Sequence, residues 1–511
     1  MRAADKPFSI DKKLVYEAYK AVKANAGAAG VDGQTIAQFD ADLRGNLYKI
    51  WNRMSSGSYF PPPVRAVSIP KKSGGQRLLG VPTVADRVAQ MVVKQMIEPD
   101  LDAVFLADSY GYRTGKSALD AVGVTRKRCW KYDWVLEFDI KGLFDNIDHT
   151  LLLRAVRKHV TCPWAVLYIE RWLTAPMRME DGTQVERTCG TPQGGVVSPV
   201  LANLFLHYAF DLWITRTHPE LPWCRYADDG LVHCRSEQEA QAIMAGLQAR
   251  LAECHLEMHS TKTKIVYCKD GSRKGSHVNQ GFDFLGYGFR PRLVKNSRRG
   301  SLFWSFTPAV SQAALTAMRK TIRKTNLRNR TQITLEDIAN EINPVLRGWI
   351  EYYGRYCPSA LYPMFRHVNR SLVAWAMRKY KRLAGHGHGQ VSSSRPSQRR
   401  PRISSRTGGK KLSARSPDGS RVTRESHARS ARGRRCNSSG LLTTALTTSA
   451  TVASQKTPAA SDAIPASLHA CARSPPTSCA SMAFTMSQTD AIASPLAASV
   501  PSSLCVSYIE R

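Results

Sequence analysis

Two adjacent aspartates stand in the stretch Arg225-Tyr226-Ala227-Asp228-Asp229-Gly230, which decides the expected fold. Apolar residues flank this stretch on both sides, so residues 223–235 are expected to form a β-hairpin with the acids at its bend. Carboxylates at the ends of buried strands are costly unless they are paired or bind cations. Taken alone, the two acids fit a solvated turn equally well, because aspartate is common in turns.

A third acid, Asp139, ends the apolar strand expected at residues 134–139. Oxygen ligands on separate strands suit Mg²⁺, which takes few protein carboxylates and keeps several waters. Two such ions about 3.5–4 Å apart can activate an attacking hydroxyl and stabilise a leaving oxygen in phosphoryl transfer. Asp139, Asp228 and Asp229 are therefore candidate ligands of two Mg²⁺ ions.

Three segments occur in the same order as three successive motifs of reverse transcriptases. They are Asp139-Ile140-Lys141-Gly142-Leu143-Phe144-Asp145, Gly190-Thr191-Pro192-Gln193-Gly194-Gly195 and Tyr226-Ala227-Asp228-Asp229. Their order and spacing favour this resemblance over coincidence. The resemblance implies that Asp139 and Asp228 bind both metal ions and that Asp229 is a nearby ligand, so that all three are the expected catalytic residues.

Further positions resemble the nucleotide contacts of the same family. Phe144 would lie under the sugar and exclude a 2′-hydroxyl, although it also fits a core phenylalanine. The glycines beside Gln193 allow close backbone approach, but a plain turn explains them too. The residues that the resemblance places around the deoxynucleoside triphosphate are Lys71, Arg77, Phe144, Gln193, Gly194 and Lys262.

Two outer segments narrow the resemblance to group II intron-encoded reverse transcriptases with a maturase domain. One is Gly30-Val31-Asp32-Gly33 in the N-terminal extension, and the other runs from Leu346 to Tyr356. The resemblance implies group II intron RNA, a target DNA primer and deoxynucleoside triphosphates as partners. Aromatic residues interleaved with arginine suit RNA, whereas Trp349 better fits a helical core. The expected RNA contacts are Arg113, Arg347, Arg355, Arg366 and Arg370.

The expected fold class is α+β: a right-hand polymerase with fingers and palm, an α-helical thumb (the maturase domain) and a disordered C-terminal tail. Residues 1–58 are expected to form an N-terminal helical extension and 59–290 the reverse transcriptase fingers and palm. Residues 291–384 would be the thumb, shortened relative to the family, and 385–511 the tail.

The formal net charge of +33 favours a polyanionic partner and argues against an ordinary neutral metabolic enzyme. Residues 1–384 carry +21 of it, and residues 385–511 carry +12 with 26 serines and two aromatic residues. All ten tryptophans lie before residue 385, so the tail cannot pack as the body does. A basic tail that binds nucleic acid is one explanation, and a frameshift near codons 384–395 is the preferred one.

Nothing in the sequence indicates secretion or membrane insertion. The twelve cysteines form no C-x-x-C pair, which argues against a zinc ribbon or a disulfide scaffold. The first ten residues lack the apolar region of a signal peptide. We therefore expect a cytoplasmic protein without a membrane partner, associated with nucleoid or ribonucleoprotein; no pattern indicates the oligomeric state.

Three alternatives remain open at the level of sequence. The protein could be an RNA-binding maturase in which polymerisation is secondary or lost. It could be another bacterial reverse transcriptase, such as a retron or diversity-generating type, which the stretch from Gly348 to Tyr356 disfavours. A viral RNA polymerase usually has Gly-Asp-Asp where this chain has Tyr226-Ala227-Asp228-Asp229.

Overall fold

The computed structural model describes residues 6–70, 75–296, 299–381 and 383. Lys71, which was expected to contact nucleotide, and the tail at 385–511 lie outside the described residues. None of the helices within these ranges is both long and apolar enough to cross a membrane.

The N-terminal part is mainly helical, with one hairpin. The helices begin behind side-chain caps: Thr35 and Ser117 form capping boxes, and Thr83 Oγ1 accepts from the Asp86 amide. The elements are α1 (Lys12–Ala24), α2 (Ile36–Ala41), α3 (Leu43–Ser55), β1 (Val64–Pro70), β2 (Gln76–Val81), α4 (Val84–Val104) and α5 (Ala118–Cys129).

The central part alternates strands and helices. A π-helical segment, His207–Asp211, joins two of its helices. The elements are β3 (Trp134–Asp139), α6 (Leu143–Asn146), α7 (His149–His159), α8 (Pro163–Thr174), β4 (Met177–Arg178), β5 (Gln184–Val185), α9 (Ser198–Leu206), α10 (Leu212–Thr217), β6 (Trp223–Tyr226), β7 (Asp229–Cys234), α11 (Glu237–Glu253) and β8 (Lys264–Tyr267).

The last part is a three-stranded sheet followed by helices. Residues 335–380 were expected to be helical throughout, but a break that contains Pro358 divides them into two helices. The elements are β9 (Phe282–Phe284), β10 (Tyr287–Lys295), β11 (Leu302–Val310), α12 (Gln312–Lys324), α13 (Leu335–Tyr353) and α14 (Tyr362–Lys379).

The four-stranded palm sheet has the order β6-β7-β3-β8, with antiparallel neighbours. The strands β3 and β7 are almost entirely buried, and α11 packs against both of them. Because β3 is central, the acid at its end is placed beside the hairpin formed by β6 and β7. The expected strand at 134–139 and the expected hairpin at 223–235 are both confirmed.

Helix α4 carries buried polar side chains that connect it to neighbouring elements. The Asp86 carboxylate accepts hydrogen bonds from Tyr59 Oη at 2.8 Å, Trp172 Nε1 at 2.7 Å and Gln90 Nε2 at 2.9 Å. Burial raises the pKa of Asp86, and these three donors offset part of the cost of burying it. Gln90 Oε1 in turn accepts from the Val196 amide at 2.6 Å, which connects the helix to the Gly-rich turn before α9.

The N-terminal extension packs on the start of the same helix. A Cβ atom at Gly30 would come within 2.6 Å of the backbone of Thr83, the N-cap residue of α4. Arg87 donates to the carbonyl oxygens of Ala26 and Ala28 at 3.1 and 2.8 Å. The Gly30–Gly33 stretch therefore needs glycine at its first position because two backbones meet there.

The expected boundary at residue 290 falls within β10. This strand continues to Lys295 and pairs with β11 along its whole length, from Tyr287–Val310 to Lys295–Leu302. The helical segment consequently begins at Gln312, after the hairpin. Strand β11 lacks the alternating pattern that predicts a strand, because its first three residues are exposed and its last six are all buried.

The described residues divide into two compact units. The larger one takes in the residues up to Asn326 together with Glu336–Val368, and it contains all three sheets. The smaller one takes in Leu327–Leu335 and the described residues from Asn369 onward. Within the smaller unit, Trp375 Nε1 donates to the Arg330 carbonyl at 3.0 Å and Lys379 Nζ to the Ile333 carbonyl at 2.5 Å.

Candidate active site

The three expected catalytic acids lie at one edge of the palm sheet. Asp139, at the end of β3, is directly opposite Asp229, at the start of β7. Residues opposite each other in an antiparallel pair have Cβ atoms about 4.5–5.5 Å apart. Asp228 precedes Asp229 in the turn between β6 and β7. The fold therefore brings together the carboxylates that the sequence singled out.

The turn that carries Asp228 has little freedom. Ala227 has a left-handed backbone, with φ of +55°, a conformation that non-glycine residues adopt rarely. A Cβ atom at Gly111 would lie 2.3 Å from the Ala227 amide nitrogen. The segment around Gly111 thus supports the back of the turn, and any side chain there would push against it.

A buried ion pair that the sequence did not reveal holds the same turn. The fully buried guanidinium of Arg225 makes two 2.7 Å bonds to the fully buried carboxylate of Asp211. It also donates to Asn203 Oδ1 at 3.0 Å and Ser109 Oγ at 2.9 Å. Its fifth bond goes to the Ala227 carbonyl at 3.0 Å. All five donors of the guanidinium are used, one of them on the turn between β6 and β7 that carries Asp228.

The acids repel each other in a buried setting. Burial raises the pKa of Asp228, and the neighbouring Asp139 raises it further. Burial and the charges of Asp228, Asp139 and Glu137 hold the pKa of Asp229 well above its usual range. Carboxylates that are desolvated and close together favour a cation or a shared proton. The site is therefore electrostatically suited to a divalent ion.

Two lysines face these acids. Lys262 Nζ lies 2.9 Å from Asp139 Oδ2, and its loop is anchored by the bond from the His259 amide to the Asp139 carbonyl at 2.8 Å. Two residues before Asp139 on β3, Glu137 Oε2 lies 3.1 Å from Lys264 Nζ. Burial nevertheless raises the pKa of Glu137 to about 7. The expected position Lys262 is thus part of the acidic site.

The donor set fits Mg²⁺ in kind, since Asp139, Asp228 and Asp229 supply only hard carboxylate oxygens. In the described part of the chain, no group of three or more His, Cys, Asp or Glu side chains is arranged to hold a metal ion. One oxygen of Asp139 is engaged by Lys262. The support for Mg²⁺ at this site is therefore the carboxylate oxygens that Asp139, Asp228 and Asp229 supply and the mutual repulsion of these acids.

The expected nucleotide residues Arg77 and Gln193 are joined to the motif that begins at Asp139. Arg77 Nε, on β2, donates to Gln193 Oε1, and Gln193 Nε2 donates to the two Asp145 carboxylate oxygens at 3.1 and 3.0 Å. The backbone carbonyl of Gln193 accepts from the Gly80 amide at 2.9 Å. This chain of contacts links the β1–β2 hairpin, the Gly-rich turn and α6.

Gly194 and Phe144 lie in the same region. Gly194 has a φ of +124°, and a Cβ atom there would meet the Gly80 carbonyl oxygen at 2.5 Å, so the turn requires glycine. The Phe144 ring is partly buried against the core, and its carbonyl accepts from the Thr191 amide at 2.7 Å. Phe144 therefore packs against the core, and the exposed part of its ring is compatible with the nucleotide role as well.

Tyr112 belongs to this region, although it was not among the expected catalytic or nucleotide-binding residues. Its backbone is left-handed, with φ of +55°. Burial raises the pKa of its hydroxyl above the ordinary value of 10, and the charge of Asp228 adds to this effect. The segment from Gly111 to Tyr112 thus approaches the catalytic turn, a contact that only the tertiary structure shows.

Arg113 does not have the position expected of a template contact. The residue is buried and makes four hydrogen bonds within the protein. Two of them go to Asp102, through its carboxylate at 2.7 Å and its carbonyl at 2.9 Å. A guanidinium committed in this way stabilises the local fold, so we leave Arg113 out of the proposed RNA interface.

The other expected RNA-binding arginines are exposed. Arg347 lies on α13, Arg355 follows that helix, and Arg366 and Arg370 lie on α14. Trp349 is buried, as expected for a core residue. The helical segment therefore presents these arginines to solvent, while Trp349, Tyr352 and Tyr353 pack inward.

Two family models match the chain. The model described as reverse transcriptase (RNA-dependent DNA polymerase) matches residues 69–289. The model described as group II intron, maturase-specific domain, matches residues 315–391. The first match contains the three acids and the Gly-rich turn, and the second contains the exposed arginines.

Curated relatives point the same way. Protein YkfC of Escherichia coli (strain K12) is 30% identical over 331 residues, 56% of this chain and 82% of that protein. Group II intron-encoded protein LtrA of Lactococcus lactis subsp. cremoris is 34% identical over 197 residues, 38% of this chain and 32% of that protein. The putative COX1/OXI3 intron 1 protein of Saccharomyces cerevisiae is 28% identical over 271 residues, 52% and 32% of the two chains.

The chain thus spans most of the length of the first relative and about a third of the length of the other two. Its matched segments are a reverse transcriptase followed by a maturase-specific domain. The expected α+β fold class and the expected family are both confirmed. The chain belongs to the group II intron-encoded reverse transcriptase/maturase family.

Proposed function

We propose that the chain is an active RNA-directed DNA polymerase that copies its group II intron RNA, supports splicing of that intron and takes part in retrohoming by target-primed reverse transcription. The observation that carries the proposal is the pairing of Asp139 with Asp229 across β3 and β7, with Asp228 in the adjoining turn. The +21 charge of residues 1–384 suits a polyanionic partner.

In the proposed reaction, the 3′-hydroxyl of a target DNA primer attacks the α-phosphate of a deoxynucleoside triphosphate. A bond forms between the 3′-oxygen and phosphorus, the bond to the β-phosphate oxygen breaks, the hydroxyl proton passes to solvent and pyrophosphate leaves. Two Mg²⁺ ions held by Asp139 and Asp228, with Asp229 beside them, would activate the hydroxyl and stabilise the leaving oxygens.

The protein's own residues would position the substrate. Arg77 is suited to the triphosphate, because a guanidinium matches phosphate oxygens. Gln193 holds Arg77 and Asp145 at the same place, and Lys262 lies close enough to the acids to balance their charge. Gly194 lets the backbone of the turn approach without a side chain, and the exposed part of Phe144 would face the sugar.

The maturase role uses a different set of residues. The exposed arginines Arg347, Arg355, Arg366 and Arg370 would contact intron RNA, with no need for the carboxylates. We place this ribonucleoprotein in the cytoplasm, a proposal supported by the eight described cysteines, all of which are unpaired.

The change Asp228→Asn separates the two roles. It keeps the size of the side chain and removes the charge that would bind metal, so primer extension on an RNA template should fall by at least about 100-fold. Binding and splicing of intron RNA should persist. The measurements are extension of an annealed DNA primer, a filter-binding titration and a splicing assay with the same protein preparation.

The matched control is Asp181→Asn, in the exposed turn between β4 and β5, which should extend primers as the unchanged protein does. Retained extension by the Asp228→Asn protein would refute the metal assignment. Loss of splicing together with extension would contradict the separation of the maturase role from the acids.

A further inference from the structure

A cavity of about 830 Å³ lies beside the β10–β11 hairpin, within the larger unit. Its walls include Arg126 and Trp130 from α5, Lys295 and Phe303 from the hairpin, and Tyr356 after α13. None of these residues belongs to the acid site. The hairpin residues from 290 to 310 lie between the two family matches, which end at 289 and begin at 315.

The positively charged side chain of Arg126 is held in place within the cavity. The Arg126 guanidinium lies 4.2 Å from the Trp130 ring centroid and 5.3 Å from the Tyr356 ring centroid. Its Nε donates to Thr307 Oγ1 at 3.4 Å. Burial lowers the pKa of Arg126, but a guanidinium remains charged in proteins. The group is thus fixed between two rings, where it can meet an anion at little entropic cost.

The walls also expose large aromatic surfaces. Trp130, Phe303 and Trp304 are 42%, 48% and 55% exposed. Trp130 is nevertheless fixed, because its Nε1 donates to the Phe306 carbonyl at 2.9 Å. Phe303 lies on the same strand face as Ser305 and Thr307, which line the cavity too. Clustered, solvent-facing rings beside a cation suit a ligand with a flat π surface.

The charge of the adjoining chain favours an anionic ligand. From residue 284 to residue 326, the end of this part of the larger unit, the sequence has nine Lys and Arg and no Asp or Glu. The acid in the cavity wall, Asp270, accepts from the Ser272 amide at 2.9 Å and the Ser272 hydroxyl at 2.8 Å, and it lies 3.6 Å from Arg273. Its charge is therefore largely compensated, and the cavity keeps a positive character.

We propose that this cavity, the hairpin pocket, binds an unpaired nucleotide of RNA, with the base stacked on the exposed rings and the phosphate paired with Arg126 and Lys295. Proteins recognise RNA chiefly through unpaired bases that stack on aromatic or guanidinium planes, and 830 Å³ is within the usual range for small-molecule sites. The inference rests on the proposed binding of intron RNA and adds a second contact region on the larger unit, away from the acids.

The test uses the full chain with Phe303→Ala and, separately, Arg126→Gln. The probe is a single-stranded RNA oligonucleotide that carries one 2-aminopurine. Loss of a stacking ring should weaken binding about fivefold or more and reduce quenching of the fluorescent base. Arg126→Gln should lower the slope of log affinity against log salt by about 0.7, because one phosphate contact is lost. Phe303→Ala should leave that slope unchanged.

The matched control is Leu293→Ala, which truncates an apolar residue 52% exposed on the same hairpin but outside the pocket wall. It should bind the oligonucleotide as the unchanged protein does. All three variants should extend a pre-annealed primer at saturating template, so failure of the proposed polymerase would show as lost extension in the unchanged protein as well.

Unchanged RNA affinity in both pocket variants would overturn the inference. Equal weakening by Leu293→Ala, or a splicing defect with normal RNA binding, would also overturn it and indicate a protein partner on this surface.

Discussion

At the scale of single residues, the site depends on positions with an unusual backbone conformation or with no room for a side chain. Ala227 turns the chain into a left-handed conformation beside Asp228, and Gly111 and Gly194 stand where a Cβ atom would strike backbone within 2.5 Å. The sequence identified the acids because they lie in short linear motifs. It could not identify Gly111 as a support, because its contact with Ala227 spans more than a hundred residues.

His233 is a residue whose burial has a measurable consequence. It is fully buried on β7, and neither ring nitrogen has a hydrogen-bond partner among the described residues. Burial, with a contribution from Arg128, lowers the pKa of His233 to about 3. The unfolded chain takes up this proton near pH 6.5, whereas the folded chain does not until about pH 3. The contribution to stability is therefore complete above pH 6.5 and is lost as the pH falls toward 3.

The change His233→Leu should remove this acid sensitivity. Between pH 7 and pH 5 the free energy of unfolding of the unchanged protein should fall by about 2 kcal/mol more than that of the variant. Urea unfolding at the two pH values measures the difference. Between pH 7 and pH 8 the two proteins should change nearly in parallel, which serves as the internal control. Parallel curves down to pH 5 would show that water or a nearby group compensates His233.

At the scale of elements, the palm could be predicted because its strands are short apolar runs with an acid at the end. β3 and the β6–β7 hairpin were both expected at their observed places. The helices α5 and α8 were not anticipated, although Ser117 and Pro163 mark their starts. These are local capping signals, and they are weak evidence until the neighbouring elements are known.

The π-helical segment and β6 together hold the catalytic turn through Arg225 and Asp211. Removing one partner of a buried pair leaves an uncompensated charge, so Arg225→Met should lower stability by about 3–5 kcal/mol. The double change Arg225→Met with Asp211→Leu should recover most of that stability, because apolar replacements of buried pairs are often neutral. It still removes the bond to the Ala227 carbonyl, which should lower kcat for primer extension about tenfold or more.

Single-nucleotide extension kinetics and urea unfolding measure these two effects on the same proteins. The matched control is Arg157→Met, which breaks a largely exposed pair with Glu170 between α7 and α8 and should leave both quantities nearly unchanged. A double variant that regains stability and also full kcat would show that the ion pair supports the fold without positioning the turn.

At the scale of the whole molecule, positive charge and chemistry have different origins. The charge of +33 indicates only that the partner is a polyanion. The acids on the paired strands and the two family matches are what indicate the chemistry. Residues 1–384 hold the whole of the reverse transcriptase match and most of the maturase-specific match, which ends at residue 391. The +12 of residues 385–511 lies almost wholly beyond both matches.

The end of the maturase-specific match coincides with the change in composition that prompted the frameshift hypothesis. The last tryptophan of the chain is Trp375, and Phe484 and Tyr508 are the aromatic residues after position 384. A helical domain that continued in frame would need large apolar residues at helical spacing, and this sequence does not supply them.

Translation of the other two frames downstream of codon 384 should therefore restore apolar helical segments that contain Trp, Phe or Tyr. The comparison needs the nucleotide sequence of the gene, with the codons before 384 as the control for the correct frame. If neither alternative frame gives such segments, the tail is a genuine Ser- and Arg-rich extension, and its charge would then add to nucleic-acid binding in a salt-dependent way.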